Sequence, residues 1–186
     1  MIISRIISRL QSTKMQGDIP WDAGRASVAM IFRPDNHLCM IRRAIKETDY
    51  WSGHMAFPGG REERQDETLQ HTAVRETQEE IGILLREDQL LGRVSDIQHP
   101  RLAVSAFVYL IEDEPQLQLD PAEVAASYWL PFAAFLDPAH RGIKTTRHQG
   151  NPLEMPIVQI GEADVWGISL FFIDDLIRKC ELSSVS

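Results

Sequence analysis

Two apolar runs near the start of this chain, Arg25–Arg33 (RASVAMIFR) and His37–Arg43 (HLCMIRR), are separated only by Pro34, Asp35 and Asn36. Short runs rich in Val, Ile, Met and Phe suit strands, while Pro, Asp and Asn supply the fixed φ and local side-chain hydrogen bonds of a tight turn. The spacing therefore predicts a β-hairpin. Further strand-like runs follow at Leu90–Ile97, at Arg101–Ile111, closed by Glu112, Asp113, Glu114 and Pro115, and at Val124–Leu130. Asp66–Ile81 contains neither Pro nor Gly, repeats Val74, Thr77 and Ile81 at helical spacing and precedes Gly82, so it predicts a helix with Gly82 as C-cap. Pro131–Leu136 predicts a short helical turn, and Ile168–Cys180, with Leu170, Phe171, Ile173, Leu176 and Ile177, an amphipathic C-terminal helix. Strands and helices mix without regular alternation, which predicts an α+β fold in α/β/α layers.

The 186 residues, 44% of them hydrophobic, suffice for one buried core, so a single domain over 1–186 is expected. A net charge of −8 argues against a general nucleic-acid binder, which needs excess Lys and Arg to neutralise phosphates. Cys39 and Cys180 are too few for a disulfide framework and lack the paired spacing of a zinc site, which points to a reducing, cytoplasmic setting. No apolar run approaches the roughly 20 residues that cross a bilayer, so no membrane partner is expected. MIISRIISRLQSTK sets Ile3, Ile6, Ile7 and Leu10 at helical spacing among Arg5, Arg9 and Lys14. A helix over about 1–14 is expected: an organelle-targeting or membrane-surface helix is one reading of it, and the favoured one is a helix packed on the domain or on a second subunit, which leaves a homodimer open.

Glu76, Glu79 and Glu80 stand three and four residues apart on the expected helix, within an arc of about 100°. A solvated acidic face is the common meaning of such a patch. The alternative is chemical: three carboxylates repel unless a cation sits between them, and an oxygen-only cluster suits Mg²⁺ or Mn²⁺ better than Zn²⁺. Arg75 adjoins the cluster and would hold one carboxylate in position.

FPGGREERQDETLQHTAVRETQEEIGI, Phe57–Ile83, resembles the Nudix box: Gly60, then an acidic residue, then Arg75, Glu76, Thr77, Glu79, Glu80, Gly82 and Ile83 in the places of Arg-Glu-aliphatic-any-Glu-Glu-any-Gly-aliphatic. Thr77 replaces the usual aliphatic residue. One extra residue lies between Gly60 and Arg75: a register fixed from Arg75 puts Glu67 in the first acidic place, one fixed from Gly60 puts Asp66 there, and Glu67 is the expectation, with the addition absorbed in Arg61–Gln65. The same offset resembles the coenzyme A pyrophosphatase branch, as does Val165–Ser169 (VWGIS) at the head of the last helix. Against it, the branch carries an Arg between Arg43 and Gly53, where this chain has Thr48 and Asp49.

The resemblance implies the Nudix fold, a mixed sheet between helices, and metal-activated hydrolysis of a nucleoside diphosphate derivative, with coenzyme A or its thioesters to be tried first. The rivals are an ADP-ribose or nucleoside triphosphate pyrophosphatase and, from another class, a non-catalytic ligand-sensing or protein-binding Nudix-like module. Expected metal ligands are Glu76, Glu79 and Glu80 with a carbonyl of Gly60 or Gly59, since glycines permit close backbone approach. Glu123, in the loop PAEV, is a general base or a solvated loop acid; Arg75 and Glu79 complete the catalytic set.

Arg141, Lys144 and Arg147, with His148, gather in an acidic chain, which reads as a substrate-phosphate grip or an ordinary basic loop. Arg43, at a strand end facing the box, contacts phosphate or pairs with a carboxylate. His54 reads as structural more readily than catalytic, and Trp51, Phe57 and Trp129 as core anchors more readily than base-stacking rings.

Overall fold

The computed structural model describes residues 2–11, 24–47, 51–99, 102–148 and 151–182. The predicted hairpin forms as β1 (Arg25–Phe32) and β2 (His37–Arg43), antiparallel with Phe32 opposite Leu38, and Asn36 takes the turn with φ +64°. Beyond that pair the hairpin opens. β4 (Gly59–Arg61) lies antiparallel to Ala26–Val28 of β1, and β7 (Val124–Pro131) pairs with the whole of β2. β3 (Met55–Ala56) flanks β2, β5 (Leu90–His99) and β6 (Leu102–Leu110) pair antiparallel, and β6 runs parallel to β1, so the sheet is mixed.

Period-2 alternation divides this sheet between two apolar layers. Ala29, Ile31, Cys39, Ile41, Phe107 and Tyr109 face α2 (Leu69–Ile81) with its Leu69, Ala73 and Ile81. The intervening Met30, Phe32, Leu38, Met40, Ala106 and Val108 face α1 (Ile2–Gln11) and α4 (Gly167–Lys179). That is the α/β/α layering expected of the sequence. Cys39 and Cys180 are buried free thiols, and burial pushes Cys39 up to about 12.

α1 packs on its own chain: Ile3, Ile6 and Leu10 are buried, while Arg5 and Arg9 reach the carbonyl and carboxylate of Glu181. Among the described residues, no helix is long and apolar enough to cross a membrane.

α2 starts three residues later than its periodicity predicts. Thr68 is extended (φ −147°, ψ 162°), and its hydroxyl accepts from the His71 amide at 3.2 Å, which caps the helix and leaves Asp66 and Glu67 outside it. Gly82 closes the helix as predicted, at φ +76°. The next segment is stitched to that end: Gln118 donates to the Ile81 carbonyl and Asp120 to the Glu80 carbonyl, both at 3.0 Å.

The larger difference lies at 141–166. The basic stretch read as a loop is β8 (Arg141–His148), paired with β9 (Asn151–Ile160) and through it with β10 (Ala163–Trp166) in a second sheet. Pro152 and Pro156 sit in the half of β9 that β10, paired to Ile157–Ile160, does not reach, so their missing amides interrupt no ladder there. α3 (Ala133–Leu136) is the short helical turn expected after β7.

Candidate active site

One side of α2 carries Glu76, Glu79 and Glu80, but the three carboxylates differ in setting. Glu80 is buried and accepts the Gly59 amide at 2.9 Å, whereas Glu76 is half-buried and accepts from Arg75 at 2.9 Å. Glu123 joins them from the turn before β7, where the Val124 amide donates to the Asp120 carbonyl at 2.8 Å and the Ala44 amide to the Glu123 carbonyl at 2.8 Å. One carboxylate oxygen of each of Glu76, Glu80 and Glu123 lies within 4.8 Å of the other two. Glu79 is not in that group: its side chain is 57% exposed and turns to Arg75 at 2.9 Å.

Burial pushes Glu80 up to about 8, helped by the charges of Glu76 and Glu123 and opposed by the Gly59 amide and Arg43. Burial likewise raises Glu76, with Arg75 opposing. Three converging acids, two of them reluctant to ionise unaided, form an all-oxygen donor set that fits a hard divalent cation of the Mg²⁺ or Mn²⁺ kind.

Two glycines let β4 lie this close to the acids. Gly59 has φ +150°, and a Cβ there would strike the Ser27 carbonyl and the Val28 backbone; a Cβ on Gly60 would fall on the Glu76 carboxylate at under 3.0 Å. The Glu76 side chain can swing where backbone cannot. Gly60→Ala is therefore expected to keep the fold, with a melting temperature near the parent's, and to lower divalent-cation affinity about 10–100-fold, the scale of a disturbed ligand shell. Cation titration of both proteins by calorimetry checks this, and equal affinities would refute it.

β4 also edges a cleft of about 460 Å³ lined by Gly59, Gly60, Arg61 and Arg43, with Trp51 and Trp166 among its walls. Arg43, at the end of β2, lines the cleft and lies near enough to Glu80 for its charge to act on that carboxylate. The residues lining the cleft do not include Arg141 or Lys144. Arg141 pairs with Asp174 of α4 at 2.6 Å and donates to the Phe135 carbonyl at 2.9 Å, so the basic group is a strand whose first cation braces the C-terminal helix. Lys144 pairs with Asp164 at 3.3 Å and lies 5.1 Å from the Trp166 ring centroid. Arg147 and His148 end the same strand opposite Pro152 and Asn151. Phe57 is a buried core residue that touches the cleft, and Trp129 packs against the α2 layer under Arg33, at 5.2 Å. Thr48 and Asp49 lie outside the described residues.

Residues 23–148 match the NUDIX domain family. The chain belongs to the Nudix family. It is 38% identical over 111 residues to an uncharacterized protein of Schizosaccharomyces pombe, covering 55% of this chain and 34% of that one. To a mitochondrial coenzyme A diphosphatase of Homo sapiens it is 29% identical over 145 residues, covering 71% of this chain and 61% of that one. It thus spans about a third and about three fifths of these relatives' lengths. Among solved structures, a MutT/nudix family protein of Enterococcus faecalis superposes with a TM-score of 0.55 at 14% identity, over 96% of this chain and 67% of that one. That likeness concerns the fold.

In this Nudix box the acidic partner of Arg75 is Asp66, which corrects the expectation of Glu67. Asp66 accepts from Arg75 at 3.0 and 2.9 Å and from the Thr72 hydroxyl at 3.0 Å, and Arg75 holds its carboxyl down at about 2. The Glu67 side chain is 84% exposed and comes only to 4.0 Å of His71. The Thr68 cap decides this, because the non-helical turn before it folds Asp66 back under the helix and leaves its neighbour facing water. The remaining Arg75 donors go to Glu76 and Glu79, each at 2.9 Å, and to the Arg61 carbonyl at 3.0 Å. Arg75 is thus a positioning residue that ties the two sides of the box together.

Thr77 is explained too: it is fully buried, and its hydroxyl donates to the Ala73 carbonyl at 2.6 Å, so a polar side chain fills an aliphatic position without an orphaned group. The VWGIS segment anchors the head of α4, where the Ser169 hydroxyl donates to the Met55 carbonyl at 3.2 Å and Gly167 takes φ +63°. The part of Trp166 in the cleft wall was missed from the sequence, although this motif was its available signal.

Proposed function

We propose that the chain is a divalent-cation-dependent hydrolase that cleaves the diphosphate linkage of a nucleoside diphosphate derivative. The observation that carries this reading is the convergence of Glu76, Glu80 and Glu123 within 4.8 Å beside Gly59 and Gly60, at the edge of a cleft large enough for a nucleotide. Glu76, Glu80 and Glu123 would hold Mg²⁺ or Mn²⁺, with Glu79 and a carbonyl of Gly60 or Gly59 completing the set. Bound there, such a cation would supply charge neutralisation and a more acidic water, which phosphoryl chemistry needs more than a covalent nucleophile. Arg43 and Arg61, both on the cleft, bring positive charge to the substrate phosphates. Arg75 keeps Glu76 and Glu79 in place.

Coenzyme A and its thioesters are the first substrates to try: one relative bears the name of a coenzyme A diphosphatase, and the spacing of the box resembles that branch. Turnover of coenzyme A, ADP-ribose and nucleoside triphosphates is to be compared side by side with Mg²⁺ and with Mn²⁺, identifying products by mass. Coenzyme A is expected to give the highest kcat/KM, and Glu79→Gln and Glu80→Gln to cut it by about 10²–10³-fold, the scale seen when one electrostatic stabiliser is removed. Turnover unchanged in both variants would refute the metal site. A protein that hydrolyses none of these compounds would instead be a ligand-sensing module.

A further inference from the structure

The cleft that meets the carboxylates at Gly59 and Gly60 is also walled by three rings, Trp51, His54 and Trp166, carried by two separate segments of the chain. Trp51 and His54 stand edge to face with centroids 5.9 Å apart, and His54 lies 4.7 Å from Trp166. The Trp166 ring is held from the second sheet, since Lys144 sits 5.1 Å from its centroid and is itself paired to Asp164, which also accepts from Gln159 at 3.0 Å. The floor is apolar, with Val28, Val104 and Phe172. A core anchor would be buried on all sides, yet Trp51 is 44% exposed. A large ring left open to water at the mouth of a concave site, braced by a second ring, suits a planar ligand that stacks.

Resting on the diphosphatase reading above, we infer that the Trp51–His54–Trp166 wall is the seat of the substrate's nucleobase. The diphosphate then reaches the carboxylates from a fixed base, and the second sheet, through Lys144 and Trp166, becomes a specificity element. Stacking needs only a π face, so the wall selects for a nucleoside over a bare sugar phosphate more than for one base over another.

The probes are adenosine 5′-monophosphate and ribose 5-phosphate, which share the phosphorylated sugar and differ by the base. Both are titrated calorimetrically, without divalent cation, into the parent protein, Trp51→Ala and Trp166→Ala. The mononucleotide is expected to bind at least about tenfold more tightly to the parent. Each substitution should bring it down towards the sugar phosphate, whose own affinity stays unchanged. Equal affinity of the two probes for the parent, no binding of the mononucleotide, or variants that spare it or weaken both probes alike would overturn the inference. If Trp166→Ala does not fold, Trp51→Ala decides, because its 44%-exposed ring is the less tied to packing. No turnover is involved, so a base seat can be found in a protein that hydrolyses nothing, and hydrolysis can be found without a base seat.

Discussion

Replacing Arg75 by Ala is expected to cost about 2 kcal/mol of unfolding free energy, short of the roughly 3–5 kcal/mol for breaking a fully buried pair because Arg75 still meets water. The Asp66 side chain is only 4% exposed and would keep just the Thr72 hydroxyl and the Glu63 amide as partners. Glu76 and Glu79 would lose their shared donor at the same moment. Urea unfolding of Arg75→Ala, Asp66→Asn and the double variant separates the contributions. If the Arg75–Asp66 pair carries the effect, the double variant costs clearly less than the two singles added together. Strict additivity would mean that Arg75 acts elsewhere.

The second large effect is a pH dependence of the cation-free protein with the reverse of the usual carboxylate sign. Glu80 titrates at about 8 in the fold against an ordinary 4.5, so the folded protein holds a proton that the unfolded chain releases. That contribution is fully present below about pH 4.5 and is lost as pH rises through about 8. Glu76 is shifted the same way. Asp66, held down at about 2, has the opposite sign, but its stabilisation is lost only as pH falls from about 4 through 2, outside this window. Between pH 5 and 8 the cation-free protein is therefore expected to lose about 2–4 kcal/mol, bounded by about 1.4 kcal/mol per pH unit for one proton. A saturating divalent cation held by the proposed site would take the proton's place, so the stabilisation it brings should grow with pH, and Glu80→Gln should flatten the cation-free profile. Melting temperatures that stay level or rise from pH 5 to 8 without cation would contradict the buried, protonated Glu80.

The sequence was most legible where local chemistry and tertiary role agree. Pro34, Asp35 and Asn36 announce the hairpin turn, Gly82 the helix end, and the spacing of Glu76 and Glu80 their common face. It was least legible where the two conflict. Asp66 fits a helical run by periodicity, yet a threonine two residues on takes the cap and sends the aspartate to Arg75. The second sheet was hidden because Gly142, Pro152 and Pro156 punctuate a mostly polar stretch, and its one short alternation, Leu153, Met155 and Ile157, is interrupted by those prolines. Glu123 was noticeable as a loop acid, but only the pairing of β7 on β2 reveals that it belongs with Glu76 and Glu80. Glu79 carries the same spacing signal as its helix neighbours, and only the fold shows that its exposed side chain is held by Arg75.

The bonds that join residues 118 and 120 to the end of α2 restrict how this protein can vary. Length changes between Ile111 and Leu117 can be taken up at the surface. One added or deleted residue between Gln118 and Glu123 would shift the third acid out of phase with the other two. Relatives with insertions in that short span should therefore be ones in which the chemistry of the pocket has changed or been lost.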